Sequence, residues 1–175
     1  AWLKVPSPPQ HTSKSGWVAT GLRVSEVCKL NVGDIDFYRM EFYVRGKGGK
    51  ERLCLLDDIA KFHLKRYLRD RMRKERVRED DLQRRPLFVT VKSPYQRMTV
   101  AGVQYLLKEL GKKAAVGNVH PHRFRRTFAC DMILRGMPVE QLMVLMGHSK
   151  IETTMIYVTV KTASVRETYR RVRAG

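Results

Sequence analysis

The chain has 175 residues, room for one domain with a real core, and its 35 Lys and Arg against 17 Asp and Glu give a formal charge of +18. Spread from Lys4 to Arg173, that excess opposes compaction and suits a polyanion, nucleic acid rather than a membrane, whose binders concentrate charge on one amphipathic helix. Cys28, Cys54 and Cys130 have no C-x-x-C spacing, which excludes a disulfide framework and a structural zinc site; no stretch has the length of a membrane span, and a soluble cytoplasmic protein is expected.

Residues 1–16 hold Pro6, Pro8 and Pro9 among Ser, Lys and Gly, and read as an extended linker. Trp17 to Leu30 is expected to be helical around Arg23-Val24-Ser25-Glu26, with Gly33 and Asp34 closing the stretch. Three short strand-like runs follow, Ile35 to Phe37, Glu41 to Arg45 and Arg52 to Leu56. Gly46-Lys47-Gly48-Gly49 between the last two is rich enough in glycine to turn a hairpin, with Lys47 at its tip or shoulder.

Asp57 is a fitting N-cap for a helix through Ala60, Leu64, Tyr67 and Leu68. The charged run from Arg69 to Arg85 is expected to present a solvated face and to end in an exposed loop. Val103, Leu106, Leu107 and Leu110 follow the spacing of an amphipathic helix that ends near Gly111. Pro121 suits the first position of the next helix, with Phe124, Phe128, Met132 and Ile133 on its buried side and Gly136 at its end. Pro138 opens another helix bearing Val139, Leu142, Met143 and Met146, which Gly147-His148-Ser149 breaks. Ser149 and Glu152 form a capping-box signature ahead of Tyr157, and a basic tail of helical character runs from Lys161 to Arg173. The expected fold class is α+β, mainly α: a helical domain with one small three-stranded antiparallel sheet and no alternating βαβ pattern.

The residues that carry chemistry lie in HPHRFRR, GHS and Tyr157, joined by Arg23 from TGLRVSE and Lys47 from RGKGGKER. Cleaving a phosphodiester builds negative charge on the non-bridging oxygens of a crowded phosphorus. Guanidinium groups match those oxygens with paired donors and stay charged at any working pH. Arg23 and Arg125 would supply them from separate elements. A tyrosine hydroxyl, with an ordinary pKa of about 10, needs a base or a positive field to attack. His122 would take its proton or hold the phosphate, and Lys47 would protonate the leaving 5′ oxygen. Attack by tyrosine conserves the bond in a phosphotyrosine, so no cofactor and no metal are called for. There is neither a P-loop nor the clustered acids of a two-metal nuclease.

Periodicity leaves choices open. His122 and Arg125 share a helix face, but Arg126 shares it nearly as well. His148 and Tyr157 would face opposite ways on one continuous helix, so the intervening turn must bring them together. Singly, each residue has an ordinary reading: Tyr157 as a core tyrosine, His148 and His122 as capping or turn residues, Arg23 as a partner of Glu26, Lys47 as a solvated turn lysine. These readings predict no shared order or spacing.

TGLRVSE, GKGGKER, HPHRFRRTFA, LMGHS and TTMIYV resemble, in order, the signature segments of the tyrosine recombinases, which include phage and transposon integrases and Xer-type resolvases. The resemblance covers residues 17–160. It implies that Arg23 is the first catalytic arginine, Lys47 the hairpin lysine, His122 and Arg125 the His-x-x-Arg pair, His148 the second histidine and Tyr157 the nucleophile. It further implies a 3′-phosphotyrosyl link to double-stranded DNA and a homo-tetramer that exchanges strands, with accessory DNA-bending proteins as possible partners. A tail at 161–175 would contact a neighbouring protomer. Members of the family carry an N-terminal helical DNA-binding domain, and the linker-like residues 1–16 lead to the expectation of a shortened member. The rival expectations are a type IB topoisomerase, which shares the chemistry, and a non-catalytic DNA-binding module.

Overall fold

A computed structural model describes residues 20–46, 49–148 and 152–155, with the single positions 170 and 173. The expected linker at 1–16, Lys47, Ser149, Tyr157 and nearly all of the basic tail lie outside the described residues.

The first helix, α1 (Val24–Lys29), is shorter than the expected Trp17 to Leu30: Gly21 is left-handed and Arg23 extended, and Arg23 gives its backbone N–H to the carboxylate of Glu26 at 2.7 Å, satisfying a donor that a helix start would leave orphaned. A short 3₁₀ turn at Val32–Asp34 leads into the sheet. Strands β1 (Ile35–Asp36), β2 (Glu41–Arg45) and β3 (Glu51–Leu55) are antiparallel in that order, as expected apart from one-residue shifts at the ends. The register pairs Phe42 with Cys54 and Val44 with Arg52. These four therefore share one face of the sheet, and all four are buried.

Asp57 caps α2 (Asp58–Glu75) as expected, its side chain accepting the N–H of Ala60 at 2.6 Å. The charged run beyond it is largely exposed, as expected, but Arg71, Glu75 and Leu82 turn inward. It continues α2 to Glu75, turns at Arg76, forms α3 (Glu79–Gln83) and ends, as expected, in an exposed turn. Arg71 and Glu75 are buried side chains that pair with each other, and Arg71 also donates to the carbonyls of Pro86 and, at 3.1 Å, Leu87. A guanidinium can be buried when every donor direction meets an acceptor, which a reading of charge alone does not reveal.

The second half is helical: α4 (Val100–Lys113), α5 (Pro121–Leu134), α6 (Val139–Met146) and the short α7 (Glu152–Met155). Pro121 stands at the first turn of α5, and Gly147 closes α6 in the left-handed region at φ 63°. Among the described residues, three apolar clusters hold the elements. The sheet packs Phe42, Val44 and Cys54 against Leu82, Leu87 and the inner side of α2. Phe128 and Ala129 of α5 meet Leu142 and Met146 of α6. Cys28 of α1 joins Val103 and Leu107 of α4. Gly21 sits between the second cluster and α1, where a Cβ would lie 2.5 Å from the Phe128 ring and φ is +60°, so only glycine fits. The start of α1, the inner face of β3, the middle of α5 and the end of α6 are thereby drawn to one place.

Candidate active site

Residues far apart in the chain meet at that place through one continuous polar network. Arg125, 5 % exposed, projects from the middle of α5. Its guanidinium donates to the carbonyl of Gly21 at 2.5 Å and to that of Met146 at 2.5 Å, and lies 2.9 Å from Nε2 of His148. Arg126, which shares the helix face nearly as well by spacing, is exposed. Packing therefore selects Arg125, because α5 turns that position towards the Gly21 loop and the end of α6.

His148 follows Gly147 directly, so the left-handed cap of α6 sets its direction. Its Nδ1 meets Oγ1 of Thr154, a fully buried threonine on α7, at 2.8 Å. Burial, then Arg125, Arg23 and Arg52, push the imidazole down to about 4. The ring is neutral at physiological pH, and a proton placed there would meet three cations.

Arg23, with its side chain 38 % exposed, is the open member of the group. It gives one donor to Glu26 at 3.0 Å and another to the carbonyl of Gly147 at 2.9 Å. The reading of Arg23 as a partner of Glu26 is thus correct as far as it goes, and the longer reach to Gly147 places it beside His148. Glu26 is buried, and burial would raise its carboxyl; hydrogen bonds from Arg52 and Arg23 outweigh that and hold it below the usual range.

Arg52 is a member of this network that sequence reasoning did not single out, and it shares Glu26 with Arg23. Arg52 grips Glu26 with two parallel bonds of 2.6 and 2.7 Å and gives its Nε–H to Leu145 at 3.0 Å. Its signal was the alternation of β3, in which Arg52 shares a face with the buried Cys54. Cys54 is fully buried there, and burial pushes its thiol up to about 11, so it serves as packing.

His122 stands one turn before Arg125 and is exposed, with no hydrogen bond among the described residues. Lys47 and Tyr157 are outside those residues. The structure thus unites Arg23, Arg125 and His148, and sets His122 on the same helix at the rim. Lys108 and Lys113 are exposed on α4, whereas Lys112 is engaged by Glu109 at 2.8 Å. Among the described residues no group of three or more His, Cys, Asp or Glu is arranged to hold a metal ion, and no helix is long and apolar enough to cross a membrane.

Chemically, the arrangement is a fixed positive field. The carbonyls of Gly21, Met146 and Gly147 hold two guanidinium groups in place, and a neutral imidazole lies between them. An oxyanion brought to the exposed side of Arg23 would be stabilised without reorganisation, because the cations are already oriented.

Comparison with known proteins agrees with that chemistry. The sequence profile described as the phage integrase family matches residues 17–164. The chain is 36% identical over 152 residues to tyrosine recombinase XerC of Bacillus pumilus, covering 86% of this chain and 49% of that protein. To tyrosine recombinase XerA of Pyrococcus horikoshii it is 33% identical over 162 residues, covering 87% of this chain and 51% of the relative. The chain thus spans about half the length of these curated relatives. A crystal structure of XerA recombinase superposes with a TM-score of 0.71 at 28% identity, over 90% of this chain and 56% of that one. The integrase of transposon Tn1549, solved in complex with circular intermediate DNA, shares the fold with a TM-score of 0.68 at 23% identity, over 89% of this chain and 56% of that one.

Proposed function

The chain belongs to the phage integrase family, and on that premise we propose that it is the catalytic part of a site-specific DNA recombinase, acting on duplex DNA through a 3′-phosphotyrosyl intermediate. The observation that carries this reading is the convergence of Arg23, Arg125 and His148, which come from three separate segments, on one hydrogen-bonded network. A structural ion cluster has no need to leave one arginine open to solvent beside a neutral histidine. A phosphate site does.

In the proposed reaction the phenolic oxygen of Tyr157 attacks the scissile phosphorus. A bond from that oxygen to phosphorus forms as the bond to the 5′ oxygen breaks, and the DNA keeps its phosphate as a 3′-phosphotyrosine. Arg23 and Arg125 stabilise the charge that grows on the non-bridging oxygens. His122, exposed at the first turn of α5, takes the phenolic proton or contacts the phosphate; Lys47 gives a proton to the leaving 5′ oxygen. Attack by the freed 5′-hydroxyl of a partner strand reverses these steps and releases the tyrosine. The bond energy is conserved, so the reaction calls for neither a cofactor nor a metal.

The same reading makes residues 17–160 the catalytic domain, 1–16 a linker and 161–175 a tail that contacts a neighbouring protomer. It implies a homo-tetramer assembled on DNA inside the cell, with accessory DNA-bending proteins as further partners, in the integration and excision of a mobile element. The formal charge of +18 supports phosphate-dominated binding with steep salt dependence.

Covalent trapping on nicked duplex DNA tests the reading. The wild type is expected to give a shifted, protease-sensitive band on a denaturing gel, and Tyr157→Phe to give none. A band from both proteins, or clear binding to a cleavable site with no band from the wild type, would sink the proposal. Relaxation of plasmids lacking matched sites would favour topoisomerase-like action instead.

A further inference from the structure

We propose that Arg52 is a positioning residue for Arg23: by occupying the carboxylate of Glu26, it leaves the charge of Arg23 available to a phosphate while fixing where Arg23 points. This rests on the phosphoryl-transfer reading given above.

Glu26 carries one negative charge and faces two guanidinium groups. Arg52 takes both of its oxygens in a parallel fork at 2.6 and 2.7 Å, with the two side chains 7% and 4% exposed. The guanidinium of Arg23 meets only Oε1, at 3.0 Å, and its side chain is 38% exposed. A bidentate, desolvated pair is far stronger than a single partly solvated contact. The carboxylate is therefore compensated mainly by Arg52. What Arg23 receives from Glu26 is direction, through a single bond to its guanidinium and one to its backbone N–H.

Arg52 also supports the second anchor of Arg23. Its Nε–H holds the carbonyl of Leu145, and its side chain lies directly beneath Gly147, where a Cβ would be 2.8 Å from Cδ of Arg52. The Gly147 carbonyl in turn accepts from Arg23 at 2.9 Å. One side chain on β3 therefore braces both groups that aim Arg23. Without its charge, Glu26 would have Arg23 as its single cationic partner and would neutralise the cation meant for the phosphate.

This predicts a rescue that a purely structural role would not show. Single-turnover trapping is measured at saturating enzyme for wild type, Arg52→Gln and the doubly neutral Glu26→Gln/Arg52→Gln, alongside the DNA affinity of each. Arg52→Gln is expected to slow adduct formation by about 100-fold, the loss typical of one missing charge-stabilising donor, with affinity within about threefold. The double variant should regain at least about tenfold in rate, because a neutral amide at position 26 cannot compensate Arg23. Wild-type rates for Arg52→Gln, or a double variant no faster than the single one at equal melting temperature, would overturn the proposal. A second measurement needs no cleavage: inorganic phosphate is titrated against all three proteins, with the arginine side chains followed by heteronuclear NMR. Arg52→Gln should weaken phosphate binding at Arg23 by about tenfold and the double variant should restore it; equal binding in all three refutes the role. If the wild type forms no adduct, the phosphotyrosyl reading falls, while this titration still decides what Arg52 does.

Discussion

A guanidinium nitrogen of Arg125 lies 2.9 Å from Nε2 of His148, and the contact determines which ring nitrogen carries the proton. Guanidinium has donors and no acceptor, so Nε2 is the bare nitrogen and accepts from Arg125. Nδ1 then bears the hydrogen and donates it to Oγ1 of Thr154 at 2.8 Å. His148 is in this way a neutral imidazole of defined tautomer, held between Arg125 on α5 and Thr154 on α7.

The pH dependence of stability follows from that lock. Burial and the neighbouring cations lower the His148 pKa from 6.5 to about 4 in the folded protein. Between these values the unfolded chain binds more protons at this site than the folded one, so the contribution of His148 is present above about pH 6.5 and is lost as pH falls towards 4. The expected result is a melting temperature that rises with pH across this window in the wild type and rises less in His148→Gln. Identical slopes for the two proteins would show that the histidine is not held neutral.

Thr154→Val tests the other end of the ring. The change keeps the volume of a side chain that is fully buried but removes the acceptor for Nδ1–H. The ring of His148 is half-buried, so the lost hydrogen bond should cost about 1 kcal/mol in chemical denaturation. Covalent trapping is expected to slow as well, whereas Thr154→Ser, which retains the hydroxyl, should stay near wild type. Equal trapping by Val and Ser variants would remove the tautomer from the mechanism.

Gly147→Ala probes the cap of α6. At φ +63° an alanine costs about 1–2 kcal/mol from backbone sterics alone. Its Cβ would also approach Cδ of Arg52 to 2.8 Å, inside contact distance. Urea unfolding should show a loss of about 2 kcal/mol or more, and trapping should fall because the same turn aims Arg23 and His148. An unchanged midpoint would mean that the turn relaxes freely.

Arg125→Lys separates charge from geometry. One ammonium cannot serve the carbonyls of Gly21 and Met146 and the His148 ring together, as the fork of Arg125 does. Stability should fall by about 2 kcal/mol through unsatisfied buried carbonyls. Adduct formation should drop about 100-fold, although the net charge is unchanged. Wild-type trapping by the lysine variant would show that a point charge suffices.

Local rules located most of the elements. Asp57 before α2, Pro121 at the first turn of α5 and Gly147 after α6 each act through their own backbone chemistry, so these boundaries are readable one residue at a time. The hairpin glycines and the alternation of β2 act in the same way. The ordered segments around Arg23, Arg125 and His148 named the family, and the excess of Lys and Arg over Asp and Glu named a polyanion as the partner.

Tertiary structure decided what depends on phase and on distant partners. Strand alternation puts Arg52 on the same face as Cys54, but only the packing of the sheet against α6 and Glu26 made a guanidinium a buried group there. Positions 125 and 126 differ by one step on a helix, and only the approach of the Gly21 loop and α6 made Arg125 the buried one. Arg71 looked like part of a solvated run until α2 met the carbonyls of Pro86 and Leu87. In each case a charged group is buried because its partners arrive from remote segments, and the energy of burial depends on those partners and not on the residue's sequence neighbours.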